Sequence, residues 1–245
     1  EYNNPLPRWW LWMFYITIFY SIAYLVVYPG MGKYPGTFGW SSAGQHQEEV
    51  DAANEQFGPI FAKYAKIDVE ELAKDEKPRT MGQRIFANTC FACHGSDARG
   101  APGYPNLTDN DWLYGSTPDE IKNSITNGRN GMMPAQGVML GEQGLKDVVA
   151  YVVSLSGRTP VAGDPAAGKE KFMVCSACHG PEGKGNPLLG APDLTDAVWL
   201  YGGSEGMIAK TINDGRTGVM PAHRDILTAE QIHLVTAYIY SLSNH

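Results

Sequence analysis

The sequence predicts a mainly α-helical chain in three parts: an N-terminal transmembrane helix, a helical stalk, and two tandem copies of one small domain. Three observations carry that prediction. An uncharged apolar run extends from Trp9 to Val27, a polar stretch of helical periodicity follows it, and one set of short motifs appears twice between Pro78 and the C-terminus.

The apolar run comes first. About 20 consecutive apolar residues cross a bilayer core as a helix. Trp9, Trp10 and Trp12 stand at one end and Tyr24, Tyr28 and Tyr34 at the other, the aromatic belts of a membrane span, with Pro29-Gly30 as the stop. The run is long for a signal peptide and carries no Ala-x-Ala-like cleavage site. Arg8 before it places the N-terminal side in the cytoplasm and the rest of the chain on the periplasmic side of a bacterial inner membrane. The sequence opens on Glu1 without a Met, which leaves room for a further span upstream.

Residues 1–35 are therefore assigned to the anchor and 36–77 to the stalk. Val50, Ala53, Phe57, Phe61 and Tyr64 recur at helical spacing, with Ser41 or Ser42 as N-cap, and Gly58-Pro59 is expected to break or kink the helix. Such a helix could lie against the membrane or a partner, or pack on the domain that follows.

The repeat assigns residues 78–157 to one domain, 158–165 to a linker rich in Pro and Gly, and 166–245 to a second domain. Gly82-Gln-Arg-Ile-Phe86 matches Gly168-Lys-Glu-Lys-Phe172, and Trp112-Leu-Tyr114-Gly matches Trp199-Leu-Tyr201-Gly. Gly128-Arg129 with Met133-Pro-Ala matches Gly215-Arg216 with Met220-Pro-Ala. Ala150-Tyr151 matches Ala237-Tyr238. Helices are expected over 118–127 and 205–214, and a last amphipathic helix carries Val148, Val149, Val152 and Leu155 in one copy and Ile232, Val235, Ile239 and Leu242 in the other.

All four cysteines lie in two Cys-x-x-Cys-His pentapeptides, Cys90–His94 and Cys175–His179. Two thiols at this spacing can each add to a vinyl group on one porphyrin edge while the adjacent histidine ligates iron, so each reads as a covalent haem c site. Zinc knuckles and disulfides use Cys-x-x-Cys too, but neither accounts for a histidine after the second cysteine in both copies. A net charge of −7 with no basic stretch excludes a nucleic-acid carrier and favours basic protein partners.

A low-spin haem needs a second axial ligand, and thioether sulfur raises its potential. Met133 and Met220 occupy equivalent positions before Pro, which pairs His94 with Met133 and His179 with Met220. Met132 and Met139 are rivals at the first site and His223 at the second; His46, His233 and His245 have no counterpart across the copies and are not expected to be ligands.

The repeat unit resembles the class I cytochrome c fold, in which the first and last helices cross near a glycine and aromatic residues. Gly82, Phe86 and Tyr151 fit that crossing in one copy, and Gly168, Phe172 and Tyr238 in the other. The resemblance further implies that the carbonyls of Pro105 and Pro192 accept the ring N–H of the proximal histidines. Arg129 and Arg216, with Trp112, Tyr114, Trp199 and Tyr201, are candidates to bind haem propionates.

The segment Asn4-Pro-Leu-Pro-Arg-Trp-Trp10, the span, Tyr28-Pro-Gly30, the Glu-rich stalk with Phe57-Gly-Pro59 and both haem units in this order resemble the dihaem subunit of a cbb3-type cytochrome c oxidase. That resemblance covers essentially the whole chain. It implies an electron relay holding two covalent haem c groups, without oxygen chemistry of its own, beside a catalytic haem–copper subunit and a monohaem cytochrome c subunit, fed by a soluble or membrane cytochrome c. A membrane cytochrome serving a periplasmic dehydrogenase and a haem-based sensor are the two other classes. The relay reading expects electrons to enter at the second domain, swinging on a flexible linker and steered by Glu182, Asp193, Asp196 and Glu205, and to leave from the first.

Overall fold

The computed structural model describes residues 5–243; Asn4, at the start of the juxtamembrane motif, and His245 lie outside the described residues. Contacts divide the chain into two compact units, one ending at Ile60 and the other beginning at Phe61.

In the first unit, α1 (Arg8–Val27) is a 20-residue helix with no buried residue, long and apolar enough to cross a membrane. Its end is closed by the following turn. The carbonyl of Val26, left without a helical partner, accepts from Thr37 N (3.0 Å), Thr37 Oγ1 (2.9 Å) and Tyr34 Oη (3.2 Å). Tyr28 meets Phe38 and Trp40 edge-on, so aromatic rings cluster at this end of the span. The next helix, α2 (Ser42–Tyr64), is capped by Ser41, whose Oγ accepts from Gly44 N at 3.0 Å. Of the expected break or kink at Gly58-Pro59, the break does not occur: α2 continues through Pro59. Glu55 and Pro59 are both exposed, so water can serve the Glu55 carbonyl that Pro59 cannot.

The second unit starts with the last turn of α2. Phe61, Tyr64 and Ile67 lead into α3 (Val69–Leu72) and pack with Val69 and Leu72 against Leu234 and Ala237 near the other end of the chain. Then come α4 (Glu76–Thr89), α5 (Phe91–His94), α6 (Pro118–Asn127), β1 (Arg129–Met133) and α7 (Gly137–Leu155). The second copy supplies α8 (Pro165–Lys171), α9 (Met173–His179), α10 (Glu205–Asp214), β2 (Arg216–Met220) and α11 (Ala229–Ser243). α6 and α10 stand where the spacing predicts them. α6 carries a full capping box between Thr117 and Glu120, and both helices stop at a glycine with positive φ, Gly128 and Gly215.

The copies do not fold on themselves. α4 packs against α11, and α8 against α7. At the first crossing Gly82 abuts the Leu234 carbonyl and the Tyr238 side chain, and the Phe86 and Tyr238 rings meet at 5.5 Å. At the second, Gly168 abuts the Asp147 carbonyl and Tyr151, and the Tyr151 and Phe172 rings meet at 5.1 Å. The expected glycine–aromatic crossings therefore form with the last helices exchanged. One core gathers Phe86, Leu107, Ile121 and Ile125 with Ile232, Val235, Tyr238 and Ile239; the other gathers Val148, Val149, Val152 and Val153 with Phe172, Ile208 and Ile212.

The exchange happens at a ribbon. β1 and β2 pair antiparallel with Gly131 opposite Gly218, Arg129 opposite Met220 and Met133 opposite Arg216. Past it each strand hands its chain to the other half: Gln136 N bonds Ile212 O (2.8 Å) and His223 N bonds Ile125 O (3.0 Å). The half holding the second pentapeptide is thus one contiguous stretch, 133–216, and the half holding the first is built from both ends of the unit. The segment read as a flexible linker is instead fastened. Arg158 Nη1 donates to Gly203 O (2.7 Å), Val161 N to Glu205 Oε1 (2.7 Å) and Asp164 N to Asp147 Oδ1 (3.1 Å).

Candidate functional site

Each pentapeptide closes a helical turn. Cys93 N and His94 N both bond the Cys90 carbonyl, at 3.2 and 3.1 Å, so the two cysteines at i and i+3 share one face of the turn. Gly95 and Gly180, with φ of 78° and 75°, end the turns and send the chain away under the histidines. Cys93 and Cys178 are exposed, Cys90 and Cys175 half-buried, and all four thiols are free. Burial first, then the neighbouring thiol, pushes Cys90 up to about 11 and moves Cys175 in the same direction. The inner thiols therefore stay protonated at neutral pH.

Both histidines are buried. His94 Nδ1 lies 3.1 Å from Pro105 O, and His179 Nδ1 lies 3.1 Å from Pro192 O. A carbonyl only accepts, so Nδ1 carries the proton and Nε2 keeps its lone pair for a metal. The loops holding these prolines are matched: Gly100 N bonds His94 O, Gly185 N bonds His179 O, and Leu107 and Leu194 tie back to Ala98 and Gly183. Burial lowers the pKa of both rings, partly offset by the proline carbonyl, and His223 lowers His94 further. Both shifts favour the neutral imidazole, the form that binds iron.

The methionines follow the exchange. Met220 packs with Cys90 on the core beside the first pentapeptide, and Met133 packs with Cys175 on the core beside the second. Strand alternation turns Met133 and Met220 inward; Met132 points out at 79 % exposure and Met139 is likewise exposed. The cores thus group Met220 with the half of Cys90 and Met133 with the half of Cys175, whereas repeat order pairs His94 with Met133 and His179 with Met220. His223, a rival on sequence for the second site, lies in the half of the first, where its Nδ1 is buried without a hydrogen-bond partner. His46 is exposed on α2, and His233 Nε2 donates to Ile67 O at 2.8 Å, fastening the stalk end to α11.

Arg129 and Arg216 are half-buried, pair with no carboxylate among the described ion pairs, and lie over the Tyr114 and Tyr201 rings at 4.5 and 4.4 Å. Trp112 packs on the first core and Trp199 on the second. These features fit a haem: two free thiols on one face, a histidine oriented for iron, an inward thioether and, for a propionate, a guanidinium in no described ion pair, held by Ser124 Oγ at Arg129 and by Thr211 Oγ1 at Arg216. Zinc fits less well, for no three His, Cys, Asp or Glu side chains come together among the described residues.

Helical domains built around Cys-x-x-Cys-His define a c-type cytochrome. The description "Cytochrome C oxidase, cbb3-type, subunit III" matches residues 78–152 and 163–239, and "N-terminal domain of cytochrome oxidase-cbb3, FixP" matches residues 1–35. Similar proteins include the cbb3-type cytochrome c oxidase subunit CcoP of Rubrivivax gelatinosus, 48% identical over 99% of this chain and 80% of the relative. The subunit FixP of Azorhizobium caulinodans is 41% identical over 99% and 89%, and CcoP of Cereibacter sphaeroides 37% over 99% and 90%. The chain belongs to the cbb3-type cytochrome c oxidase subunit III family.

Proposed function

We propose that the chain is the membrane-anchored dihaem c electron-transfer subunit of a cbb3-type oxidase, with its haem domains on the periplasmic side. The supporting observation is the pair of Cys-x-x-Cys-His turns, each with a proline-oriented histidine and an inward methionine from the shared ribbon. Cys90 and Cys93 would hold one haem and Cys175 and Cys178 the other, with axial pairs His94/Met220 and His179/Met133. Bound there, each haem supplies a one-electron Fe(III)/Fe(II) couple. The chain supplies the rest: thioether sulfur favouring the ferrous state, apolar cores shielding the iron, and Arg129 and Arg216 for the propionates. The span Arg8–Val27 has no histidine for haem b or copper, which supports a relay rather than a site of oxygen reduction. The inferred partners are a catalytic haem–copper subunit, a monohaem cytochrome c subunit and a cytochrome c donor. Mild detergent extraction should recover those subunits with the chain; recovery with a periplasmic dehydrogenase instead would favour the alternative class.

The pairing has a sharp test. Cys90→Ala with Cys93→Ala should leave one covalent haem after acid-acetone extraction. In that background Met133→His should abolish the sulfur–iron charge-transfer band, whereas Met220→His should leave it intact. The opposite pattern restores the pairing by repeat order.

A further inference from the structure

The inner face of the ribbon carries Arg129, Gly131 and Met133 on β1 and Arg216, Gly218 and Met220 on β2. Register puts one arginine and one methionine at each end, Arg129 with Met220 and Arg216 with Met133. At a rise of about 3.3 Å per residue the two ends are about 13 Å apart. Only the Gly131–Gly218 pair faces inward between them, so side chains from elsewhere must fill that space.

Tyr114 and Tyr201 fill it. A Cβ on Gly131 would lie 3.2 Å from Tyr114 Oη, and one on Gly218 would lie 3.5 Å from Tyr201 Oη. Each ring is backed by its half's arginine and reaches the opposite half. Tyr114 occupies the space a side chain at Gly190 would need, and Tyr201 lies 3.3 Å from the Cβ position of Gly103, whose N–H donates to Leu200 O at 2.8 Å. The two halves thus meet through these rings beside the ribbon that carries both methionines.

We propose that Tyr114 and Tyr201 are positioning residues for electron transfer between the two haem sites. They occupy the space over Gly131 and Gly218 and so leave a packed route along the ribbon from the Met220 end to the Met133 end. The proposal rests on the dihaem reading above. In the step, one ferrous iron loses an electron and the ferric iron of the other site gains it; no bond changes and no proton moves. Electronic coupling falls off more steeply across a gap than through bonded and packed atoms, and water at the junction adds solvent reorganisation that a dry one avoids.

The experiment uses the full detergent-solubilised chain. Haem content and both midpoint potentials are measured, and equilibration between the haems is followed after pulsed one-electron reduction. Tyr114→Ala and Tyr201→Ala should each slow equilibration at least tenfold beyond what any change in the two measured potentials accounts for, while Tyr114→Phe and Tyr201→Phe stay within twofold of the parent. Where alanine prevents haem loading, Tyr114→Leu and Tyr201→Leu, too short to reach Gly190 and Gly103, should be slowed in the same way. Equilibration at the parent rate in ring-less variants overturns the proposal, as does a slowing wholly explained by shifted potentials. A parent with one covalent haem overturns the dihaem reading and this proposal with it; a dihaem parent with unslowed variants overturns this proposal alone.

Discussion

Asp147 shows how one residue decides an arrangement that the repeat leaves open. It is 4% exposed, and Leu234 stands at its place in the second copy. The N–H of Asp164 first, then Gln143, and then Lys171 at 3.4 Å hold its carboxyl below the ordinary carboxylate range. These bonds fix the segment between the copies onto α7 and bring α8 alongside. A carboxylate with a depressed folded pKa contributes stability that is present above its unfolded value and lost as pH falls through the folded one. Asp147→Asn should therefore lower the melting temperature of the holoprotein at pH 7, and the gap to the parent should close as pH falls below about 4. A gap that persists at low pH would assign the effect to packing. At this scale the sequence was legible wherever chemistry is local: both pentapeptides could be read directly, and the family resemblance pointed to the prolines whose carbonyls meet His94 and His179. Which core each methionine joins could not be read, because Met133 and Met220 sit in nearly the same local sequence.

Among the elements, the helix crossings carry most of the specificity. Gly82 and Gly168 let two backbones approach so closely that any Cβ would collide with a carbonyl of the crossing helix. Gly82→Val should thus cost about 3 kcal/mol, the upper range for overpacking, and Phe86→Ala, at 1% exposure, about 3–5 kcal/mol. Both act where α4 meets α11, so urea titration should show the first site opening while the second keeps its His/Met spectrum; simultaneous loss of both would mean the halves unfold as one. The sequence revealed α6, α7, α10 and α11 through their spacing and apolar periodicity, and the glycine–aromatic crossing through its resemblance. It hid the partners, since Gly82-Phe86 facing Tyr151 and facing Tyr238 are chemically the same contact. The ribbon was hidden too: two five-residue strands with glycine at their centres carry little β-propensity, and their pairing joins positions 83 to 91 residues apart.

For the whole unit, connectivity breaks the degeneracy between the copies. Consecutive helices joined by a short segment tend to lie side by side, and Ser156–Asp164 is too short and too well fastened for α8 to leave α7. Once α7 pairs with α8, the second half closes from 133–216 alone, and α4 is left to wait for α11. The short connection was the available signal for this exchange, and its Pro and Gly content concealed it by suggesting a hinge. Electron entry through a freely swinging second domain loses its premise. Its steering charges are also partly engaged: Asp193 meets Lys184 at 3.5 Å and Glu205 holds Val161. A proteolytic cut beside Val161, which is 90% exposed, separates the two models. Tandem self-contained domains would part into a membrane-bound fragment with one haem and a soluble fragment with the other. In the exchanged fold each fragment owns half of both sites, with α7 and Met133 on one side of the cut and Cys175, His179 and Met220 on the other. The nicked protein should therefore stay together on detergent size exclusion, with both haems six-coordinate, and part only in denaturant. Release of a soluble haem-bearing fragment under native conditions would show that the copies fold alone.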